Sequence, residues 1–180
     1  MVFSPRKSRS ADGEAKLRRW ILLAIALAAG ALGYALVSRP ETAPAVAFPT
    51  LRGENLALNA LRGKVVLIEF WATDCATCVK EMPQLVKTYE RYRGRGFEAI
   101  AVAMRYDPPN YVIAYTERNR LPFPVAFDPT GEIARAFSGV KFTPTTFLVD
   151  KRGRIVARLI GERDFARLNA LIEEILEEPV

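Results

Sequence analysis

The chain has 180 residues, half of them hydrophobic and about a quarter charged, and it contains no histidine and two cysteines. That composition suits a globular core and argues against disorder. The missing histidine excludes Ser-His-Asp and Cys-His catalysis and every His-ligated metal site, and two thiols are too few for a four-thiolate zinc or iron–sulfur site within one chain.

The formal charge of +6 is uneven: residues 1–19 hold six basic groups (Arg6, Lys7, Arg9, Lys16, Arg18, Arg19) against Asp12 and Glu14. Charge gathered in a short tail beside an apolar run reads as a topology signal, not as a nucleic-acid face. The run itself, residues 20–37 (WILLAIALAAGALGYALV), has no charge and no proline. As a helix it reaches about 27 Å, enough to cross a hydrocarbon core. With Arg18 and Arg19 before it and Trp20 at its edge, it predicts a transmembrane signal anchor, residues 1–19 cytoplasmic and the rest outside. The rival, a cleaved signal peptide, has a shorter apolar region of about 7–15 residues. Either exports the remainder of the chain. Residues 38–46, rich in Pro and Ala, read as a linker, and residues 47–180 as one domain.

Residues 48–61 suggest a short hairpin turning at Arg52-Gly53-Glu54-Asn55. Residues 65–71 (VVLIEFW) are β-branched and apolar on both faces, as in a central strand. From Cys75 to about Arg93, Val79, Met82, Leu85, Val86 and Tyr89 recur at helical steps until Gly94 and Gly96. Residues 97–103 form a second buried strand, residues 109–120 a helix opened by Pro109, residues 124–127 a short strand, and residues 132–137 a short helix after a turn at 128–131. Residues 145–149 and 155–159 read as a hairpin around Asp150-Lys151-Arg152-Gly153. Residues 164–177 form an amphipathic helix. Strands alternate with helices, and a hairpin and a helix close the chain, so the fold class is α/β, a mixed central sheet flanked by helices.

The stretch that carries chemistry is EFWATDCATCVKEMP, residues 69–83. It places Cys75-x-x-Cys78 where a buried strand gives way to a helix. A helix N-terminus offers unpaired N–H groups and partial positive charge, which stabilise a thiolate. Cys75 is therefore the candidate nucleophile and Cys78, one turn on, the resolving thiol of a redox-active disulfide. Two structural cysteines, half of a dimeric metal site, or an inert disulfide are the bland alternatives. A loop this short constrains the unfolded chain little, so stability is a weak reason for it.

These residues resemble a known family. Phe70-Trp71-Ala72 before Cys75-x-x-Cys78, with Pro83 eight residues after Cys75, looks like the thioredoxin active site. Residues 142–150 (FTPTTFLVD) look like that family's cis-proline loop leading into a strand. Residues 48–64 and 121–131 resemble segments of TlpA/ResA-like thiol–disulfide oxidoreductases of the redoxin, AhpC/TSA-like kind. The resemblance covers roughly residues 47–178 and implies a thioredoxin-like fold with an N-terminal β-hairpin. It also implies that Pro144 is cis beside the disulfide, where an X-Pro bond alone is cis only about 5% of the time. Thr143, Pro144 and Trp71 are then the substrate-binding residues, the Thr143 backbone pairing with an extended target segment.

Glu69, six residues before Cys75, and Glu81, three after Cys78, match positions where relatives carry acids. A carboxylate in apolar surroundings has a raised pKa and can exchange a proton with Cys78, so both join Cys75 and Cys78 as catalytic candidates. A partly exposed strand end for Glu69 and a solvated helix charge for Glu81 are the alternatives. Two departures bear on potential. Asp74 stands where relatives have an aromatic and opposes ionisation of Cys75, and the Ala76-Thr77 dipeptide lacks the histidine of strong oxidants, which leans toward a reductant.

The expected function is reduction of disulfides in exported proteins by dithiol exchange, without cofactor or metal. The resemblance implies apocytochrome c as one target, during cytochrome c biogenesis, and a membrane thiol transporter of the CcdA/DsbD type as electron donor. Two other readings stand beside it. A peroxiredoxin-like peroxidase is disfavoured because Thr73 lies two residues before Cys75 and no P-x-x-x-T-x-x-C pattern is present. A Cu(I) chaperone using both thiolates would be expected to carry a wider cysteine spacing and a histidine.

Overall fold

The computed structural model describes the backbone of residues 11–37 and 41–179, and side chains within 16–30 and 41–179. Arg6, Lys7 and Arg9 of the basic tail, residues 38–40 of the expected linker, and the side chains of residues 31–37 in the expected span lie outside the described residues.

The chain forms two units, residues 1–39 and residues 40–180. The first holds a helix, α1 (Ala11–Val37). From residue 16 to residue 30 every side chain on it is exposed, with Leu17, Trp20, Leu22 and Leu27 among the exposed apolar groups. Among the described residues, no helix is long and apolar enough to cross a membrane.

The second unit is built on a five-stranded sheet of β3 (Val65–Trp71), β4 (Phe97–Ala103), β5 (Val125–Phe127), β6 (Thr145–Val149) and β7 (Ile155–Ile160), ordered β5-β4-β3-β6-β7. β3 pairs parallel with β4 and antiparallel with β6, and β7 runs antiparallel to β6, so the sheet is mixed as the element order required. β1 (Ala47–Pro49) and β2 (Asn55–Ala57) make the small hairpin. Its second strand is shorter than the sequence pattern suggested, because a 3₁₀ turn over Leu58–Leu61 diverts the chain and buries both leucines. The helices are α2 (Ala76–Tyr92), α3 (Pro109–Arg118), α4 (Glu132–Ala136) and α5 (Phe165–Glu177).

β3 is buried along its whole length, and its period-2 alternation feeds two cores. Val65, Leu67 and Trp71 point to one face, packing with Cys78, Met82 and Leu85 of α2 and Leu168, Ile172 and Ile175 of α5. Val66, Ile68 and Phe70 point to the other, where Phe70, Phe137 and Phe147 meet edge-on or tilted with centroids 5.0–5.9 Å apart. Glu69 shares the first face with Leu67 and Trp71, so the alternation alone aims a carboxylate at α2 and α5.

The hairpin turn works because Gly153 has φ +75°, a left-handed conformation that glycine adopts freely, with Asp150 accepting from the Arg152 and Arg154 N–H groups. From Glu41 onward the segment read as linker lies along the domain. The Ile155 N–H donates to Glu41 O at 2.7 Å, the Ala43 N–H donates to Gly153 O at 2.9 Å, and Thr42 bridges Arg154.

Candidate functional site

β3 ends at Trp71, and residues 72–74 turn the chain into α2. Cys75 is the helix N-cap, extended at φ −82° and ψ 99°, and its Sγ accepts the Cys78 N–H at 3.2 Å. The sulfur thus takes one of the donors a helix start leaves unpaired, the placement that favours a thiolate once the bond is reduced. Cys75 and Cys78 are joined as a disulfide. Cys75 is half-buried, whereas Cys78 is 1% exposed. That asymmetry leaves Cys75 as the sulfur an incoming thiol or disulfide can reach. Asp74 beside it is exposed.

The turn before Cys75 is clamped by the loop after β4. The Met104 N–H donates to Trp71 O at 3.0 Å, and buried Asp107 accepts both the Thr73 N–H and the Thr73 hydroxyl at 2.6 Å. Asp107 reads from sequence as one of several loop residues. What singles it out is a contact 34 positions away that no local pattern encodes.

The loop before β6 lies against the same end of β3, since Phe70 is in register with Thr145. The Thr143–Pro144 peptide is cis. Pro144 is buried and its carbonyl accepts the Gly161 N–H at 2.9 Å, while Thr143 stays half-buried at the rim. The Thr143 hydroxyl meets the Tyr106 hydroxyl at 3.4 Å, and Phe142 is exposed beside them. Cys75, Thr143 and Pro144 therefore gather at one end of the sheet. Trp71, expected among the substrate-binding residues, is a correction. It is fully buried on the α2 face of β3, with Tyr115 tilted over it at 5.1 Å, because strand alternation turns it inward. It underlies the site instead of lining it.

Both candidate acids are buried, Glu69 at 1% and Glu81 at 4% exposure, so neither the solvated helix charge nor the partly exposed strand end applies. They meet through Arg163, which the sequence reading missed. The Arg163 backbone N–H donates to Glu81 Oε1 at 2.7 Å, and its Nε and Nη2 reach Glu81 Oε2 at 2.8 and 2.7 Å. Its Nη1 donates to Glu69 Oε2 at 2.5 Å and to Thr146 Oγ1 at 3.0 Å, and the Thr146 hydroxyl donates to the same Glu69 oxygen at 2.6 Å. Thr146 is the register partner of Glu69 across β3 and β6. The signal for a cation was latent: two acids at apolar positions need a buried counter-charge. Among 26 basic residues, nothing in the sequence says which one. Burial pushes the Glu69 carboxyl up from 4.5 to about 7, and the pull of Arg163 and the Thr146 hydroxyl only partly offsets it.

Two buried acids sharing one guanidinium, with Glu81 one helical turn after Cys78, can hold a proton. A half-buried sulfur on a helix N-terminus can attack or be attacked. Comparison with known proteins points the same way. The redoxin family model matches residues 40–172. Thiol-disulfide oxidoreductase ResA of Bacillus cereus is 36% identical over 138 residues, covering 75% of this chain and 77% of that protein. ResA of Halalkalibacterium halodurans is 33% identical over 171 residues, covering 89% and 94%. The crystal structure of a thiol:disulfide interchange protein of the thioredoxin family from Chlorobium tepidum superposes with a TM-score of 0.71 at 28% identity, covering 77% of this chain and 98% of that one. Matched over most of its length in sequence, and in fold around a paired Cys75 and Cys78, the chain belongs to the redoxin family as a TlpA/ResA-like thiol–disulfide oxidoreductase.

Proposed function

We propose that this chain is a membrane-anchored reductase of disulfides in exported proteins, with apocytochrome c as a target and a CcdA/DsbD-type thiol transporter as electron donor. The observation that carries the reductase chemistry is the pairing of a reachable Cys75 on a helix N-terminus with a buried Cys78, next to a cis-proline loop. In the cycle, the Cys75 thiolate attacks a target disulfide; a mixed disulfide forms and one target sulfur leaves as a thiolate. Cys78 loses its proton and attacks Cys75. The enzyme disulfide closes, and the second target sulfur leaves, so two electrons pass to the target. Glu69 and Glu81 serve the deprotonation of Cys78, and the Thr143 backbone pairs with the target segment. Recharging in an oxidising compartment needs electrons from across the membrane.

Two features support the anchor. The apolar side chains of α1 are exposed on all sides between residues 16 and 30, the pattern of a helix whose solvent is lipid. The basic tail precedes it, and positive charge held on the inner side supports residues 1–19 in the cytoplasm and the catalytic domain outside, the periplasm in a bacterium with two membranes. The deciding measurement is the reduction potential of the full chain in defined glutathione or dithiothreitol buffers. A value near or below about −270 mV supports a dedicated reductant; a value near about −120 mV makes it an oxidant and removes the cytochrome reading.

A further inference from the structure

Three large apolar side chains stand exposed around the cis-proline loop: Tyr106 after β4, Phe142 in the loop itself and Ile160 at the end of β7. Hydrogen bonds tie each position to the loop. The Tyr106 hydroxyl meets that of Thr143 at 3.4 Å, and the Thr145 hydroxyl donates to the Phe142 carbonyl at 2.7 Å. The Gly161 N–H, next to Ile160, donates to the Pro144 carbonyl at 2.9 Å. Among the described residues, Thr143 is bonded to no other backbone group, so its N–H and C=O stay open in the middle of the three. Apolar groups held in solvent around an open stretch of backbone have the anatomy of a contact surface.

Each of the three has a cation beside it. Arg105 precedes Tyr106, and Lys141 precedes Phe142. Arg158 shares a face of β7 with Ile160, the two being register partners of Phe147 and Thr145 on β6. All three cations are exposed, and among the described residues none of them is in an ion pair. The Arg158 guanidinium lies 5.3 Å from the centre of the Phe147 ring. Neighbouring acids do not offset this charge. Asp107 is buried and bonded to Thr73, and Glu162 pairs with Lys80 at 2.6 Å. Asp74, exposed beside Cys75, is the exception.

We infer that this rim selects the target: Cys75 acts on disulfides in extended acidic segments, where an apolar side chain beside the reacting cysteine rests on Tyr106, Phe142 and Ile160 and flanking carboxylates face Arg105, Lys141 and Arg158. This rests on the exchange reading above and names the chemistry of the segment that reading leaves open. The two parts of the rim act on different steps. Apolar contact holds the segment once it has docked, whereas exposed charges act on encounter and are screened by salt. Asp74 repels a carboxylate placed directly at the reacting sulfur, so the acids belong on the flanks of the segment and the apolar residue next to its cysteine.

The test uses the reduced full chain in mild detergent and short synthetic peptides, each with its one cysteine held as a mixed disulfide with thiopyridine. The Cys75 thiolate bonds to the peptide sulfur; thiopyridine leaves with the electron pair, takes a proton from water and is followed by its absorbance. The residue next to the cysteine is leucine or serine, and the flanks are glutamate or lysine. Each rate is divided by that of the same peptide with dithiothreitol, so that intrinsic differences between peptides cancel. At low salt the glutamate peptides are expected to react about 10-fold faster than the lysine peptides, the ratio falling toward one at about 1 M salt. Leucine peptides are expected to react about 10-fold faster than serine peptides at either salt. Arg105→Glu with Lys141→Glu and Arg158→Glu inverts the charge preference, and Phe142→Ser with Ile160→Ser removes the leucine preference. If the triple variant does not fold, Arg105→Gln with Lys141→Gln carries the comparison by shrinking the same ratio. Equal rates for glutamate and lysine peptides at low salt, or wild-type preferences in the variants, overturn the inference. A wild type that releases thiopyridine from no peptide overturns the exchange reading instead.

Discussion

The elevated Glu69 carboxyl makes the fold's stability depend on pH in a window where little else titrates. The chain has no histidine, and in the oxidised form neither cysteine titrates. Asp150, where burial is outweighed by the bonds from Arg154, and Glu162, held down by its bond to Lys80, sit below the usual carboxylate range, so their effects fall at lower pH. Between pH 4.5 and 7 the folded state keeps a proton on Glu69 that the unfolded chain releases. Stability is therefore full below about 4.5, falls as pH rises, and levels off above about 7. Raising a carboxyl from 4.5 to about 7 corresponds to a loss of about 3 kcal/mol across the window. Urea unfolding of the oxidised full chain, followed by tryptophan fluorescence at half-unit pH steps, measures it. Glu69→Gln, neutral at every pH, flattens the curve between 5 and 8. Equal slopes in the wild type and Glu69→Gln would refute the argument, because Glu69 is the carboxyl that burial raises into that window.

Three more outcomes come from the contacts around the site and core. Cys78→Ser traps the mixed disulfide with a model substrate as a species stable to non-reducing electrophoresis, whereas Cys75→Ser forms none, since Cys78 is buried. Asp107→Ala strands the Thr73 N–H and hydroxyl and costs about 1–3 kcal/mol in urea unfolding; exchange slows as well because the turn into Cys75 loosens. Phe147→Ala empties the aromatic cluster with Phe70 and Phe137, which lies in the core that does not contain the cysteines, and costs about 3–5 kcal/mol while the potential of the disulfide stays put.

Much of the fold was legible because the elements announce themselves locally. The unbroken apolar run over residues 65–71 marks a strand buried on both faces, and the cysteine pair falls on the helix start where the strand ends. The turns at Arg52-Gly53 and at Gly153 are where glycine and polar residues cluster. The mixed sheet direction was legible too, since a hairpin appended to alternating strands and helices must reverse one strand. What the sequence hid are contacts made at long range. Glu69 and Glu81 stood out as acids at apolar positions, yet Arg163, 82 positions beyond Glu81, has no periodicity or motif of its own. Asp107 was indistinct for the same reason. Trp71 misled in the opposite direction: its place beside the active-site turn suggested a substrate surface, but the parity of the strand, shared with Leu67 and Glu69, sends it inward.

The docking of residues 41–43 along the start of β7 has a consequence for self-association. β7 is an outer strand of the sheet, and Val156 and Ile160 are exposed along it, an edge on which a second extended chain could lie. By occupying the Ile155 N–H and the Gly153 carbonyl, Glu41 and Ala43 act as a short cover over one end of that edge. A version of the domain begun at residue 47 would keep the strands of its sheet and its disulfide, give up Ala43 and Val46 from the rim of one core, and lose this cover, uncovering those backbone groups at one end of an apolar edge. The tendency of such a fragment to dimerise or aggregate would then be a property of where it was cut and not of its fold.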